Sequence, residues 1–221
     1  MQVTFLRHGQ SEHNAGLTSF LDSALTPLGN QQSEAAAARF VEEGLTSENT
    51  TSYVSPLLRT LQTLEPTIRS LNLYAEVFAD VREYFSIRND GYRTFIGLTP
   101  AQIGAQFPWA TLGSNIGFED EWWPRELEDD FQLYARCCIV RDRLIEEHLN
   151  SGKNLLIVSH ADPIGRMIEA FLRVPPDPEG PPWSGNCGIT RLLVSDNTSP
   201  AEIVYLNDLI HLSSETLLSP R

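Results

Sequence analysis

The sequence predicts an α/β fold, a three-layer αβα sandwich with a mostly parallel central sheet. Two segments far apart in the chain, Val3–Leu6 and Leu155–Val158, are short and almost continuously apolar or β-branched, which is typical of strands covered on both faces. Between them lie longer segments whose apolar residues recur at helical spacing, two of which begin at Thr-Pro or Ser-Pro pairs. Such alternation builds a parallel sheet between two helix layers. Because no repeat or linker interrupts the pattern, we expect one domain over residues 1–221.

The composition limits the partners and the compartment. The 221 residues carry a formal net charge of −13, and Lys153 is the sole lysine. A chain this acidic is expected to bind neither nucleic acid nor an anionic membrane, and any phosphate pocket in it must be a local arginine cluster. Three cysteines, two of them adjacent, form no disulfide framework, and no apolar run reaches membrane-spanning length. These features favour a reducing, cytoplasmic setting.

The first predicted strand leads directly into polar residues. Val3–Leu6 ends on Arg7, His8 and Gly9, and Asn14 follows a few residues later. Ligands of open α/β sheets bind beyond the carboxyl ends of strands, so His8 is expected to face a crevice. Arg7 supplies a permanent cation beside it, and Gly9 allows a tight turn or a close approach of the backbone to a ligand. This combination suits an oxyanion, and phosphate in particular.

The first helix is predicted from a cap and a periodic pattern. Thr26 is a candidate N-cap, Pro27 suits the first helical position, and Gly44 is a suitable stop. The residues expected on its buried face are Leu28, Ala35, Ala36 and Phe40. Thr51–Ser55 then reads as the second strand.

A second helix is predicted to start at Ser55-Pro56. Its apolar stripe consists of Leu57, Leu61, Leu64, Ile68 and Leu71. Arg59 lies off this stripe in the first turn, where the positive end of the helix dipole opposes a cation. An arginine in that position indicates a nearby anion. The alternative is an exposed arginine that pairs with Glu65 or with solvent.

The third predicted strand, Ala75–Ala79, is followed by a glutamate. Glu83 would be directed to the same edge of the sheet as His8 and Arg59. A glutamate after a strand is commonly a solvated loop charge, so position alone does not assign it a role. Asp90, seven residues further along, is a rival for any proton-donating function.

Residues 90–125 form the irregular part of the chain. Thr99-Pro100 is expected to start a short helix that ends at Phe107-Pro108. Beyond it, three acidic residues precede two tryptophans, in the order Glu119, Asp120, Glu121, Trp122 and Trp123. The segment is longer than an ordinary connection, so it is either a lid or insertion over the site or a packed flap without a ligand role.

Glu126–Leu149 is predicted as the longest helix, closed by Gly152. Its expected buried face consists of Leu127, Phe131, Tyr134, Ala135, Cys138, Ile145 and Leu149. Cys138 would serve as a small core hydrophobe, the common fate of a free cysteine. The sequence offers no partner that would make Cys137 a nucleophile or a metal ligand.

The strongest predicted strand, Asn154–Ser159, also ends in a histidine. His160 precedes Asp162-Pro163, which reads as the cap of a further helix, so His160 would lie beside an anion-favouring helix N-terminus. Asp162 is either that N-cap or a charge facing the pocket. In the second case it would disfavour phosphate and favour a substrate with hydroxyls or an amine.

The end of the chain is expected to complete the sheet. Residues 174–186 form a loop rich in proline and glycine, and two closing strands are predicted at Asn186–Val194 and Glu202–Leu206. The tail after His211 is expected to be loose.

Five phrases of the chain resemble signatures of the histidine phosphatase superfamily, the phosphoglycerate mutase-like proteins. They are VTFLRHGQSEHN at Val3–Asn14, LTPLGNQQ, SPLLRTLQT around Arg59, the Arg82-Glu83 pair and NLLIVSH. The resemblance covers residues 1–83 and 154–211. Two features depart from the family pattern: Ala161 stands where the family has glycine, and Tyr84–Thr94 lacks the usual glycine-tryptophan pattern.

The resemblance implies a phosphatase-like mechanism. Arg7, Asn14, Arg59 and a protonated His160 would hold phosphate, His8 would attack phosphorus to form a phosphohistidine, and Glu83 would serve as proton donor. The family uses no metal and no cofactor. The fold would be phosphoglycerate mutase-like.

Several functions remain in competition. A phosphomonoesterase acting on a small phosphorylated metabolite is favoured over a mutase, because residues 95–135 offer Arg125 but mostly acids for a second anionic group. A non-catalytic phospholigand-binding protein is a third reading. A metal hydrolase built on His8, His160 and Asp162 is the least favoured, since two arginines would repel the metal. A homodimer is left open.

Overall fold

A seven-stranded sheet forms the centre of the computed structural model, which describes residues 1–113, 121–124, 126–212 and 217–219. In chain order the elements are β1 (Gln2–Arg7), α1 (Pro27–Glu42), β2 (Thr50–Val54), α2 (Leu58–Leu71), β3 (Ala75–Val77), α3 (Pro100–Gln106), β4 (Ala110–Leu112), α4 (Asp130–His148), β5 (Asn154–Ser159), α5 (Ala161–Leu172), β6 (Ile189–Leu193) and β7 (Glu202–Asp208). Short 3-10 turns span 79–81, 90–94 and 210–212.

The strand order across the sheet is β4-β3-β2-β5-β1-β6-β7. The first five pair in parallel, while β6 and β7 are antiparallel. β5 lies between β2 and β1, and its residues 155–158 are fully buried. The prediction of a mostly parallel sheet with β5 at its centre is therefore confirmed.

Alternation along the strands produces two core layers. On β1 and β5, Leu6, Leu156 and Val158 pack on one face with α1 and α2. Their neighbours Val3, Phe5, Leu155 and Ile157 pack on the other face with α4 and α5. Because successive side chains of a strand point to opposite faces, continuous apolar strands require helices on both sides. The predicted three-layer αβα sandwich is confirmed.

The ends of α1 agree with the sequence pattern, but the start of α2 does not. Thr26 Oγ1 accepts a hydrogen bond from the Gly29 amide (3.0 Å), and Gly44 has φ of +76°. By contrast, α2 begins at Leu58 with no side-chain cap, so Ser55 is not its N-cap. Instead the Ser55 hydroxyl lies 2.8 Å from His160 Nε2, a contact from β5 that the local pattern could not reveal.

The predicted buried face of the long helix is confirmed at Ile145, but most of its other positions are displaced by about one residue. Phe131 is 74% exposed and Cys138 is only partly buried, whereas Cys137 is 1% exposed. The residues that α4 buries are Leu133, Arg136, Cys137, Val140, Leu144 and Ile145. The helix also starts later than predicted, because Asp129 and Gln132 form a capping box there. Arg136 is among these buried residues, and this charged side chain interrupts the apolar spacing from which the buried face was predicted.

The segment from 90 to 125 contributes to the sheet and the core. The short helix appears as predicted, α3, and is followed by β4, a strand that the sequence analysis missed and that pairs with β3. Trp122 and Trp123 pack against Phe95 in the core. Glu119, Asp120 and Arg125 lie outside the described residues. That the segment opens and closes as a lid stays a prediction.

Two further predictions at the chain's end are corrected. α5 begins at Ala161 with His160 as N-cap residue, so Asp162 is not the cap but lies in the first helical turn. Part of the tail is attached, since Gln32 Nε2 donates to the Leu217 carbonyl (2.8 Å) and to the Ser219 hydroxyl (3.0 Å). Among the described residues, we find no helix with the length and apolar character needed to cross a membrane.

Candidate active site

The residues singled out from the sequence meet at the carboxyl ends of the parallel strands. His8 directly follows β1, His160 directly follows β5, and Glu83 follows β3 after a short 3-10 turn. His8 and Glu83 border a cavity of about 360 Å³, whereas His160 is fully buried behind its lining. Its lining consists of Arg7, His8, Ser11, His13, Asn14, Leu21, Arg59, Glu83, Tyr84, Ser86, Asn89, Tyr92, Ala161 and Asp162. Asp90 is exposed and pairs with Arg93, so it does not border this cavity.

Two contacts fix the tautomer of His8. Its Nδ1 lies 2.7 Å from the Gly9 carbonyl, an acceptor, and its Nε2 lies 3.2 Å from Nε of Arg59, a donor. Nδ1 therefore carries the proton and Nε2 presents a lone pair. Burial, followed by the charges of Arg59 and Arg7, holds the pKa of His8 well below its ordinary value. The imidazole is neutral at neutral pH.

The backbone at His8 depends on a close approach between two glycines. A Cβ on Gly9 would lie 2.6 Å from the carbonyl oxygen of Gly29 in α1. The Gly9 amide donates to Thr63 Oγ1 on α2 (3.0 Å). The loop after β1 is thus packed directly against both helices, which holds His8 in place.

Arg59 is buried in the centre of the site rather than exposed on the helix. It donates through Nε to His8, through Nη1 to the Leu21 carbonyl (2.8 Å) and through Nη2 to Glu83 Oε2 (3.0 Å). A guanidinium has five N–H groups, so these three bonds leave two for a ligand. The alternative of a solvated arginine paired with Glu65 is wrong, since Arg59 is 5% exposed and pairs with Glu83.

Arg7 and Asn14 form another side of the cavity. Arg7 Nη1 donates to the Ser184 carbonyl (2.5 Å), and among the described residues its buried Nε has no hydrogen-bond partner. Burial and the charge of Arg59 lower the pKa of Arg7. Asn14 is held through its Oδ1 by Asn186 Nδ2 (3.2 Å), which also donates to the His8 carbonyl. Asn186 was missed because it is far from both residues in sequence.

Glu83 and His160 face each other beneath Arg59. Glu83 Oε2 lies 3.3 Å from His160 Nδ1, and Oε1 accepts from the Tyr84 amide (2.9 Å). Burial, followed by the charges of Arg59, His8 and Arg7, holds the pKa of His160 well below its ordinary value. These groups favour a neutral His160 in the absence of a ligand, and its protonated form in the presence of phosphate stays a prediction. Two arginines that were predicted to hold phosphate also disfavour a charged imidazole.

Comparison with known proteins identifies the family. The model of the histidine phosphatase superfamily (branch 1) matches residues 3–208, which is nearly the whole chain. The chain belongs to this superfamily. A relative among characterised sequences is a probable phosphoglycerate mutase of Yersinia enterocolitica, 29% identical over 199 residues, which cover 87% of this chain and 84% of that protein.

Solved structures share the fold at low identity. A mycobacterial glucosyl-3-phosphoglycerate phosphatase complexed with VO3 has a TM-score of 0.64 and 23% identity, covering 93% of this chain and 98% of that one. A phosphoserine phosphatase of Entamoeba histolytica in complex with 3-phosphoglyceric acid has a TM-score of 0.64 and 19% identity, covering 96% and 98%. The phosphoglycerate mutase-like fold is therefore shown.

In this superfamily member, a buried arginine on α4 holds the loop that presents Glu83. Arg136 Nη1 donates to the carbonyls of Asp80 (2.6 Å) and Arg82 (3.1 Å). Its Nε and Nη2 bind both carboxylate oxygens of Glu128, each at 2.9 Å. The sequence analysis missed this pair, because an arginine on a helix is ordinarily read as part of the exposed face.

The site also contains a group of potential metal ligands. Ligand atoms of His8, Glu83 and His160 lie within 4.8 Å of one another. Among the described residues, Glu83 and not Asp162 completes this group, so the trio suggested from the sequence does not form. Arg59 contacts both His8 Nε2 and Glu83 Oε2, and its positive charge opposes a metal ion there.

Proposed function

We propose that the protein is a phosphomonoesterase that hydrolyses a small phosphorylated metabolite through a phosphohistidine at His8. The observation that carries this proposal is the tautomer of His8. Its unprotonated Nε2 accepts a hydrogen bond from Arg59 Nε, which it would release to attack phosphorus, and the Gly9 carbonyl accepts the proton of Nδ1; His8 and Arg59 both line the cavity. A neutral imidazole so oriented is a nucleophile next to a cation, which is the pairing that attack on a phosphate requires.

Phosphate would be held mainly by two guanidinium groups. Arg59 has two N–H groups left after its contacts with protein, and Arg7 has a buried Nε without a partner among the described residues. Asn14 uses its Oδ1 for Asn186, so its amide nitrogen is the group available to a phosphate oxygen. His160 would add a hydrogen bond, and the dianion would favour its protonated form once bound.

The first half-reaction transfers the phosphoryl group to the enzyme. His8 Nε2 forms a bond to phosphorus while the ester P–O bond breaks, and Glu83 gives its proton to the departing oxygen. Arg7 and Arg59 stabilise the charge spread over the phosphoryl oxygens. Glu83 suits the role of acid because it lies in the cavity lining, and Arg59 and the Tyr84 amide orient its two oxygens.

The second half-reaction returns the enzyme to its starting state. Glu83, now ionised, takes a proton from a water molecule whose oxygen attacks phosphorus. The N–P bond breaks, and inorganic phosphate leaves. Every charge needed is supplied by protein groups, so we propose that the reaction requires neither a metal nor a cofactor.

A phosphatase is favoured over a mutase by the charges around the cavity. A mutase of sugar acids must bind a second anionic group and retain the substrate after the first transfer. Arg7 and Arg59 are the permanent cations in the described lining, and both are close to His8, whereas Asp162 adds a negative charge. The solved relatives named above include phosphatases, one of them crystallised with 3-phosphoglyceric acid.

The test is a matched pair of histidine variants. His8→Ala should abolish phosphate release from phosphorylated metabolites and the formation of an acid-labile, base-stable phosphoenzyme. His13→Ala, in the same loop and lining the same cavity but exposed, should retain most activity. A folded His8→Ala protein with near-normal turnover would exclude the mechanism. Transfer of phosphate between positions of phosphoglycerate, faster than its release, would indicate a mutase instead.

The remaining expectations from the sequence stay part of this proposal. They are one domain over residues 1–221, a role of residues 90–125 as a lid, a cytoplasmic location, no nucleic-acid or membrane partner, and a homodimer as one candidate assembly. Size-exclusion chromatography with light scattering tests the last of these directly.

A further inference from the structure

Asp162 is a carboxylate of the cavity wall that the proposed mechanism does not use. It lies in the first turn of α5, two residues after His160. It borders the active-site cavity and also an adjacent cavity of about 210 Å³, whose lining includes Tyr84, Asp130, Arg166 and Glu179. Tyr84 and Asp162 line both cavities. The alcohol part of a substrate that extends from the phosphate towards the adjacent cavity would therefore pass Asp162.

Of the cations near Asp162, Arg7 is assigned to phosphate in the proposed mechanism, and the two others are paired with other acids. Arg166 Nη1 binds both carboxylate oxygens of Glu169, at 3.2 and 2.9 Å, and Arg88 Nη2 binds Asp130 at 2.6 Å. The Asp162 carboxylate belongs to an exposed residue and makes no hydrogen bond or ion pair with the described residues. Burial and the nearby charge of Glu83 raise the pKa of Asp162 to about 6. The ionised Asp162 carboxylate therefore has no positively charged partner among the described residues.

We propose that Asp162 makes the enzyme selective for phosphomonoesters whose alcohol part carries a protonated amine, and that it discriminates against those carrying a carboxylate. This inference rests on the proposed phosphomonoesterase function. An ammonium group beside Asp162 would gain a charge-assisted contact at the exposed carboxylate where the two cavities adjoin. A carboxylate there would instead add a further negative charge near Glu83 and Asp162, with Arg166 and Arg88 already paired.

Three phosphomonoesters with the same two-carbon skeleton test the selectivity. They are phosphoethanolamine with an ammonium group, ethyl phosphate with a methyl group and phosphoglycolate with a carboxylate. In the wild type, kcat/KM should be about three- to fivefold higher for phosphoethanolamine than for ethyl phosphate, the upper range for an exposed ion pair, and lowest for phosphoglycolate. Asp162→Asn should bring the three values together, mainly by changing the two charged substrates. Ethyl phosphate serves as the internal reference.

A control separates this effect from general electrostatics. Asp90→Asn removes a negative charge from an exposed residue that borders neither cavity, so the ratios should remain as in the wild type. The ammonium preference should also weaken as the pH falls below about 6, because Asp162 then becomes protonated, and should be independent of pH in Asp162→Asn. The charged groups around Asp162 in this interpretation are Glu83, Arg7, Arg166 and Asp130.

The outcomes distinguish this inference from the proposed function. Turnover of all three esters at equal kcat/KM, or a preference for phosphoglycolate, would overturn the role of Asp162 and leave the phosphatase intact. If no ester is turned over, the phosphatase proposal fails. Calorimetric binding of the three esters to His8→Ala still tests the selectivity, since it requires no chemistry. Equal affinities in that measurement would also overturn it.

Discussion

Replacement of Glu83 by glutamine tests the assignment of the proton donor. Glu83→Gln keeps the size of the side chain and one oxygen that can accept a hydrogen bond from Arg59. In the wild type, Arg59 Nη2 donates to Glu83 Oε2 at 3.0 Å. The amide nitrogen then replaces Oε1, so the hydrogen bond from the Tyr84 amide (2.9 Å) is lost. The loop itself is held through its backbone by Arg136, so its position should not change. The variant therefore removes the exchangeable proton at the cost of one hydrogen bond from the backbone.

The expected size of the effect depends on the leaving group. A positioned general acid contributes about 10²–10⁴ in rate, which corresponds to about 2.7–5.4 kcal/mol of activation free energy. An alkyl phosphate releases a poor leaving group that requires this proton, so phosphorylation of the enzyme should slow by about that factor. An aryl phosphate such as nitrophenyl phosphate releases a stable phenolate, so its phosphorylation step should slow by less than about tenfold.

Single-turnover phosphorylation of wild type and variant with both substrates gives the comparison. Glu83→Gln should also accumulate phosphoenzyme, because attack by water on the phosphohistidine lacks its base. Asp90→Asn is the matched control: Asp90 is exposed and pairs with Arg93, so both rates should stay within about twofold of the wild type. Equal slowing of both substrates by Glu83→Gln would refute the role as an acid. A leaving-group-dependent loss in Asp90→Asn would assign that role to Asp90.

Three further changes test other parts of the reasoning. Arg59→Met should cost at least about 2–3 kcal/mol of transition-state binding, which corresponds to about a hundredfold in kcat/KM. The variant should also lose the rise of Tm that phosphate produces in the wild type. An unchanged rise would contradict phosphate binding by Arg59. Activity should survive chelator, because arginines supply the positive charge, and a loss restored by zinc or magnesium would contradict this. Arg136→Met should lower the free energy of unfolding, measured by urea titration, by about 3–5 kcal/mol, because it leaves Glu128 buried with weaker pairing. The control is Arg69→Met, which removes the exposed ion pair of Arg69 with Glu34 and should lower the free energy of unfolding by less than about 1 kcal/mol. A similar loss in both arginine variants would contradict the role given to burial.

The sheet, and the edge of the sheet at which the site lies, could be predicted because both depend on local sequence patterns. Continuous apolar strands indicate burial on both faces, and in a parallel sheet the residues after those strands meet at one edge. His8, His160 and Glu83 could therefore be brought together from their positions after strands, although residues 8 and 160 lie far apart in the chain. Arg59 followed from a cation placed against a helix dipole, which is also a local signal.

The features that were missed depend on contacts between distant segments. Asn186 approaches Asn14 and the His8 carbonyl only after the sheet has closed, and Ser55 contacts His160 across neighbouring strands. Arg136 was not predicted on the buried face of α4, because its burial requires Glu128 as a partner and the apolar period cannot anticipate a buried ion pair. In each case the polar group has a partner that only tertiary structure supplies.

The two site arginines explain how an acidic protein can present a neutral nucleophile to an anion. With a net charge of −13, the chain as a whole repels phosphate, so the attraction must arise within the cavity. Within the cavity, Arg59 and Arg7 have two effects. Together with burial, which has the larger effect, their charges lower the pKa of His8 and of His160 and so keep Nε2 of His8 unprotonated, and they leave N–H groups unused by protein for the phosphate oxygens. When a phosphate dianion binds between them, its charge offsets theirs at His160 and allows that imidazole to become a donor, so substrate binding itself would complete the site.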